Sequence, residues 1–380
     1  MEKIIAGLFF IFLVLFPFGQ LTKVPLGFLN TPEIHLYLTD IVLFLLVLSW
    51  GVWRVFQRKQ RYHLPPLATP IFIFFLIGGL SLIVNSSLFT SREVGVGFLY
   101  LLRWIFYAGL YFVLFDLKKK FKWLNWENGR CFLIIIGSAI GIFGLVQYFL
   151  WPNLKALEVL QYDPHFYRAV GTFLDPGFTG IILVLTLILI SAKNWGLWGL
   201  WVIVYLALAL TYSRASWLAF FIGMSILSFY KKSWKLFLLT TGVLVLTWFL
   251  IPQPSGEGGK LTRTYTIQAR FQNYQQAVKI IKEKPILGVG FNTLRYYQKN
   301  LPENQAGAGL DNSWLFVLAT SGALGFLGYL GIWGKALNKF KNPLVVSSLF
   351  ALFVHAFFVN SLFYPWVMAW MWILLAMENS

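Results

Sequence analysis

Cysteine, histidine and acidic residues are all scarce in this chain of 380 residues. Its one cysteine, Cys131, cannot form an intrachain disulfide or a metal cluster, so a disulfide framework and thiol redox chemistry are excluded. The histidines, His35, His63, His165 and His355, have no metal-ligand spacing and belong to no Ser-His-Asp pattern. Each reads as a satisfied or solvated side chain. Charged residues are 12% of the chain, about half the usual share of a soluble domain. A water-soluble enzyme and a disordered chain are both excluded.

In their place the chain has apolar surface: 58% of its residues are hydrophobic and its mean hydropathy is +0.69. At about 20 residues per span, that content fills roughly eleven transmembrane helices. Apolar runs centred near Phe12, Leu45, Phe75, Tyr107, Gly141, Leu185, Val204, Phe221, Leu244, Leu324, Phe353 and Met371 predict about twelve. The N-terminal run starts basic, like a signal peptide, but Pro17, Phe18, Gly19 and Gln20 offer no small-x-small cleavage site, so it reads as a retained first span. The net charge of +17 then has a topological meaning. With the N-terminus inside, Arg54 to Arg61, Lys118 to Arg130, Lys193, Lys231 to Lys235 and Lys335 to Lys341 all fall on cytoplasmic loops. Nucleic acid is not an expected partner.

The fold class is therefore an all-α polytopic membrane protein with both termini cytoplasmic. Residues 1–151 hold spans one to five, 152–251 an outer loop and spans six to nine, 252–311 a large outer loop, and 312–380 spans ten to twelve. The apolar stretch from Trp195 to Tyr230 has basic flanks at both ends, so it crosses twice and turns at Thr211 to Ser216. Each leg is about 17 residues, or roughly 25 Å, which puts this turn within the outer membrane face. The large loop opens Gly/Pro-rich and then shows a helical pattern from Arg263 to Lys284, a small extracytoplasmic subdomain. Loops of this length are usually functional.

Four arginines, Arg214, Arg263, Arg270 and Arg295, lie in or beside this turn and loop and could face one cavity. Guanidinium forks bind phosphate bidentately and stay charged at physiological pH, which suits a membrane-anchored diphosphate; lipid headgroups are the plainer alternative. Arg103 falls inside the fourth span, where an unpaired charge costs about 2.5 to 3.5 kcal/mol at the bilayer centre. It needs a wet cavity or a partner, and Asp40 is positioned to be one. Asp311 reads either as a helix N-cap or as a carboxylate general base. The Gly288–Gly290 pair has no preceding strand and no P-loop lysine, so it carries no nucleotide reading. Glycines 322, 325, 328, 331 and 334 form a small-residue stripe for helix packing. Asp175-Pro176-Gly177 is a tight turn into the next span.

Four pieces in order resemble the O-antigen ligase and O-antigen polymerase superfamily of bacterial membrane glycosyltransferases. They are Arg-x-x-Gly-Thr-Phe (Arg168 to Phe173), Ser-Arg-Ala-Ser-Trp (Ser213 to Trp217), the stretch from Ala269 through KPILGVGFNTL to Leu294, and DNSWLFVLATSGALGFLGYL from Asp311. The resemblance covers about residues 165 to 335 and implies transfer of a glycan from undecaprenyl diphosphate on the periplasmic face of the inner membrane. The acceptor is lipid A core in ligases and a growing polysaccharide in polymerases. It also implies metal independence and no cofactor, with arginines neutralising the departing diphosphate. Arg214 and Arg270 fall on the family's arginines, which with Asp311 makes a catalytic set. Arg168, Arg263, Arg295, Asn312 and Arg103 are substrate-binding candidates. Where ligases have His-Asn, this chain has Asp311-Asn312, a weaker base at its ordinary pKa of about 3.9, which shifts weight toward a polymerase or related transferase. The competing class is a multi-span transporter or flippase, but no related halves are visible and the polar residues gather outside. A non-catalytic membrane scaffold is the third.

Overall fold

The computed structural model describes residues 1–24, 34–57, 63–160, 165–191, 197–252, 264–298 and 309–378. Each predicted apolar centre falls in one helix. These are α1 (Glu2–Leu15), α2 (Leu38–Phe56), α3 (Ala68–Val84), α4 (Ser91–Lys120), α5 (Trp126–Leu150), α6 (Pro176–Ile190), α7 (Trp198–Ala209), α8 (Arg214–Tyr230) and α9 (Trp234–Leu250). A polar helix, α10 (Tyr265–Glu283), and a single turn, α11 (Leu294–Tyr297), precede the apolar α12 (Ser313–Lys339), α13 (Pro343–His355) and α14 (Pro365–Met377). Two short strands, β1 (Lys23–Val24) and β2 (Leu36–Tyr37), pair antiparallel with Lys23 opposite Tyr37. Lys193, Arg263 and the Gly/Pro-rich start of the large loop lie outside the described residues.

Among the described residues, five helices are long and apolar enough to cross a membrane: α1 with its 3-10 extension to Thr22, α2, α4, α5 and α12. The other apolar helices are shorter, down to the 12 residues of α7. At 1.5 Å per residue that is about 18 Å, against a hydrocarbon core of about 30 Å. At α6 the helix is preceded by buried backbone that is not α-helical, which is allowed at depth only where protein satisfies it. The loop before α6 shows how. Ala169, Val170 and Phe173 are fully buried. The Val170 amide donates to Gln147 Oε1 at 2.9 Å, Thr172 Oγ1 to the Pro17 carbonyl at 2.6 Å, and Gln20 Nε2 to the Phe173 carbonyl at 2.7 Å.

Helices apolar on every side belong in the interior, and α14 is one: all its residues are buried, packed against α4, α5 and α6. At the other extreme is α9, on which only Thr240 is buried although it packs against α8. The helix ends also sort by chemistry. Arg54 pairs with Asp116 at 2.8 Å, Lys118 Nζ donates to the Ala376 carbonyl, and Lys231 Nζ to the Ser191 carbonyl, all at the end opposite Arg214.

The glycine stripe of α12 is only partly a packing surface. Gly322 has φ 64° and ψ −168°, which breaks the helix there. Into the break comes the backbone of Pro285 to Gly290, which joins this part of the large loop to α12. The Ala323 amide donates to the Pro285 carbonyl at 2.8 Å, the Leu324 amide to Ile286 at 3.2 Å, and the Val289 amide to Ala319 at 2.9 Å. Ser81 Oγ closes the joint by donating to the Leu287 carbonyl at 2.6 Å. Gly328 does pack closely, against Ile77 of α3, whereas Gly334 faces open space.

A Cβ on Gly322 would lie 2.2 Å from the Ile286 carbonyl carbon, in a backbone region closed to L-residues. Gly322→Ala is expected to cost at least about 2 kcal/mol, read as a lowered thermal transition in detergent. Gly334→Ala, with nothing within 4 Å, leaves the transition unchanged or raised. Equal transitions for both variants would contradict the close joint.

Candidate functional site

The predicted turn between α7 and α8 is present, walled by protein. Tyr212 takes φ 49°, which reverses the chain within four residues. Ser213 caps α8, its side chain accepting from the Ser216 amide, and Arg214 is the first helical residue. The turn is fastened from outside. Arg168 Nε donates to the Thr211 carbonyl at 2.9 Å, the Ala169 amide to Leu210 at 2.8 Å, and the Tyr212 hydroxyl to the Pro252 carbonyl at 2.6 Å. Arg168, a predicted substrate residue, thus has its guanidinium directed at backbone carbonyls of the turn. Arg214 itself is half-buried and lies within the electrostatic reach of Arg270.

The positions Arg270, Asn273 and Tyr274 share one face of α10, at i, i+3 and i+4. That face meets the start of α12. Arg270 Nε is 3.9 Å from Asp311 Oδ2, the Asp311 amide donates to Asn273 Oδ1 at 3.2 Å, and Asn273 Nδ2 donates to the Gly309 carbonyl at 3.2 Å. Tyr274 donates to the Phe357 carbonyl. Burial raises the Tyr274 pKa and Arg270 only partly offsets this, so the phenol stays a donor.

Between the two readings of Asp311 the structure separates the residues. Asn312 is the cap, its Oδ1 accepting from the Trp314 and Leu315 amides at 2.9 and 3.0 Å. The Asp311 carboxylate projects beyond the helix, 56% exposed beside a 29% exposed Arg270. A carboxylate and two guanidinium groups in this arrangement can accept a proton and neutralise an anion at one place. Asn273 and Tyr274 were not singled out from the sequence, although their i, i+3, i+4 spacing from Arg270 could have found them.

The four arginines do not all surround one point. Arg263 is outside the described residues, and Arg295, on α11, contributes its charge to a different corner, at His35. There Lys23, Arg103 and Arg295 all act on the His35 ring. Arg103 has the partner its depth demanded: Asp40 Oδ2 lies 2.8 Å from its Nη2, the Tyr107 hydroxyl donates to Asp40 Oδ1 at 3.0 Å, and Arg103 also donates to the His35 carbonyl. Asp40 further accepts from the Tyr37 amide, which caps α2. Arg103 and Asp40 are also the charged groups lining a cavity of about 330 Å³ with otherwise mostly apolar walls from α2 and α4.

Fold and site define a helical membrane protein whose arginine and carboxylate chemistry gathers at one end of the bundle, on the starts of α8 and α12 and the face of α10. Residues 198–330 match the family described as O-Antigen ligase. The matched stretch runs from the first residue of α7 into α12. It contains Arg214, Arg270, Arg295 and Asp311, while Arg103 and Arg168 precede it. No curated protein matches the chain.

Burial first, and then the charges of Lys23, Arg103 and Arg295, push the His35 imidazole down to about 4. An unfolded histidine protonates near pH 6.5, so between these values the folded state binds fewer protons. The stability tied to neutral His35 is complete above pH 6.5 and is lost as pH falls toward 4. In detergent, His35→Gln should flatten the fall of the thermal transition across this window. A variant with the wild-type slope would assign that slope to other groups.

Proposed function

We propose that this protein transfers a glycan from undecaprenyl diphosphate to an acceptor hydroxyl at the periplasmic face of a bacterial inner membrane. The observation that carries the reading is the meeting of Arg214, Arg270 and Asp311 at one end of the bundle. In the proposed reaction the Asp311 carboxylate accepts the proton of the acceptor hydroxyl. The acceptor oxygen forms the new bond to the anomeric carbon from the face opposite the leaving group, inverting that centre. The bond from the anomeric carbon to the diphosphate oxygen breaks, and the electron pair leaves on the lipid diphosphate. Arg214 and Arg270 meet the charge that develops there, as donors preplaced for it. The energy of the step is stored in the donor's glycosyl-diphosphate bond.

The remaining candidates take supporting parts. Arg263 and Arg295 extend positive potential along the outer segment where an anionic donor would approach. Arg168 and Asn312 act through the turn and the cap they secure, and Arg103 acts through Asp40. With Asp311 where ligases carry histidine, we favour a growing polysaccharide as acceptor over lipid A core. The broken helix α12 gives little support to a transporter, because its freed backbone groups are bonded to Pro285–Gly290 rather than left for an ion.

In proteoliposomes supplied with a lipid-diphosphate-linked oligosaccharide, Arg214→Ala and Arg270→Ala are each expected to lose about 10²- to 10³-fold in turnover. Asp311→Asn should lose about 10²- to 10⁴-fold, all three with wild-type thermal transitions. A product ladder without lipid A core indicates a polymerase, and transfer only to core a ligase. Full activity of both arginine variants would sink the proposal.

A further inference from the structure

The end of α13 and the segment that follows it tie together all three helices that bear the catalytic candidates. For α12, the Ser313 amide donates to the Ala356 carbonyl at 2.9 Å and the Leu362 amide donates to Ser313 Oγ at 3.1 Å. For α10, the Tyr274 hydroxyl donates to the Phe357 carbonyl. For α8, the link is a side chain: His355 Nε2 lies 3.1 Å from Ser216 Oγ, which is 2.8 Å from the capping Ser213 Oγ. On its other edge His355 Nδ1 is 2.5 Å from Ser361 Oγ, and Ser361 Oγ donates to the Val359 carbonyl at 3.2 Å. Both ring nitrogens thus meet serine hydroxyls, and Ser216 Oγ in turn donates to Ser213 Oγ.

His355 has no exposed surface, so it cannot touch a substrate. Burying an imidazole costs free energy unless both nitrogens are bonded, and an apolar residue would fill the same space without that demand. What the imidazole adds is a hydrogen bond of fixed reach to the start of α8 from the end of α13, whose following segment is bonded to α10 and α12. We propose that His355 is a positioning residue that sets the distance from Arg214 to Arg270 and Asp311. Its catalytic part rests on the glycosyltransferase reading above, whereas its geometric part does not.

Two substitutions separate the ends of the link. His355→Gln extends an amide to the place of Nε2 and keeps the bond to Ser216. His355→Asn reaches only the place of Nδ1 and keeps the bond to Ser361. The test combines steady-state transfer from a lipid-diphosphate oligosaccharide with spin-label distances between positions 218 on α8 and 318 on α12, in a full-length Cys131→Ala background. In His355→Asn, kcat should fall about 10²-fold with donor KM changed less than about twofold, since a shift near 1 Å costs that much. The distance distribution should broaden at the same time. In His355→Gln both should return to within about threefold of wild type and to the narrow distribution.

An unchanged distribution in His355→Asn, or a loss that glutamine does not recover, overturns the proposal and leaves His355 a packing residue. Should the wild-type protein transfer no glycan, the glycosyltransferase reading fails. The label distances then decide the positioning role alone.

Discussion

Backbone that leaves a helix inside an apolar bundle has no water to bond, so every carbonyl and amide it frees must find a partner within the protein. Much of this structure follows from that constraint. Several of the apolar helices are shorter than a hydrocarbon core, and the loop that precedes α6 is buried. Gln147, Gln20 and Ser81 each reach such a segment from a distant helix, and Thr172 reaches from within one to the Pro17 carbonyl. The break in α12 at Gly322 is tolerable because residues 285 to 290 bring their own amides and carbonyls to it. These polar joints fix the helix ends relative to one another more sharply than apolar contact could, since a hydrogen bond is directional and a methyl contact is not.

The candidate site is built on those joints. Arg214 begins a helix whose preceding turn is fastened by Arg168, Ala169 and Tyr212. Asp311 sits one residue before a cap made by Asn312, and Arg270 lies on a helix tied to the same region through Asn273 and Tyr274. Groups intended to meet a developing charge have to be in place before the reaction. Two arginines near each other repel, and such a pair persists only when the surrounding structure enforces it. The fastened turn and the segment after α13 supply that enforcement.

Much of the fold was legible in the sequence, because apolar runs mark helices and short polar signals mark their ends. Asp175 before Pro176 reads as a helix start and caps α6 by accepting from the Gly177 and Phe178 amides. The turn at Thr211–Ser216 follows from basic flanks on an over-long apolar stretch. An ion pair between Arg103 and Asp40 follows from the cost of a lone buried charge. Other features depend on residues far apart in the chain and leave no local mark. The stripe of glycines in α12 looked uniform, yet only Gly322 has another segment's backbone pressed into it. His355 looked like an isolated polar residue in a span because Ser216 and Ser361 lie on other elements. Arg295 groups with the outer arginines by position along the chain, while its charge acts on His35.

The central claim is that Arg214, Arg270 and Asp311 act on one lipid diphosphate. A cryo-electron microscopy structure of the protein in lipid nanodiscs with an undecaprenyl-diphosphate oligosaccharide bound tests it most directly. The account predicts diphosphate oxygens within hydrogen-bond distance of both guanidinium groups, with the first sugar turned toward the Asp311 carboxylate. Diphosphate density beside Arg103 and Arg295, with Arg214 and Arg270 uncontacted, would contradict it.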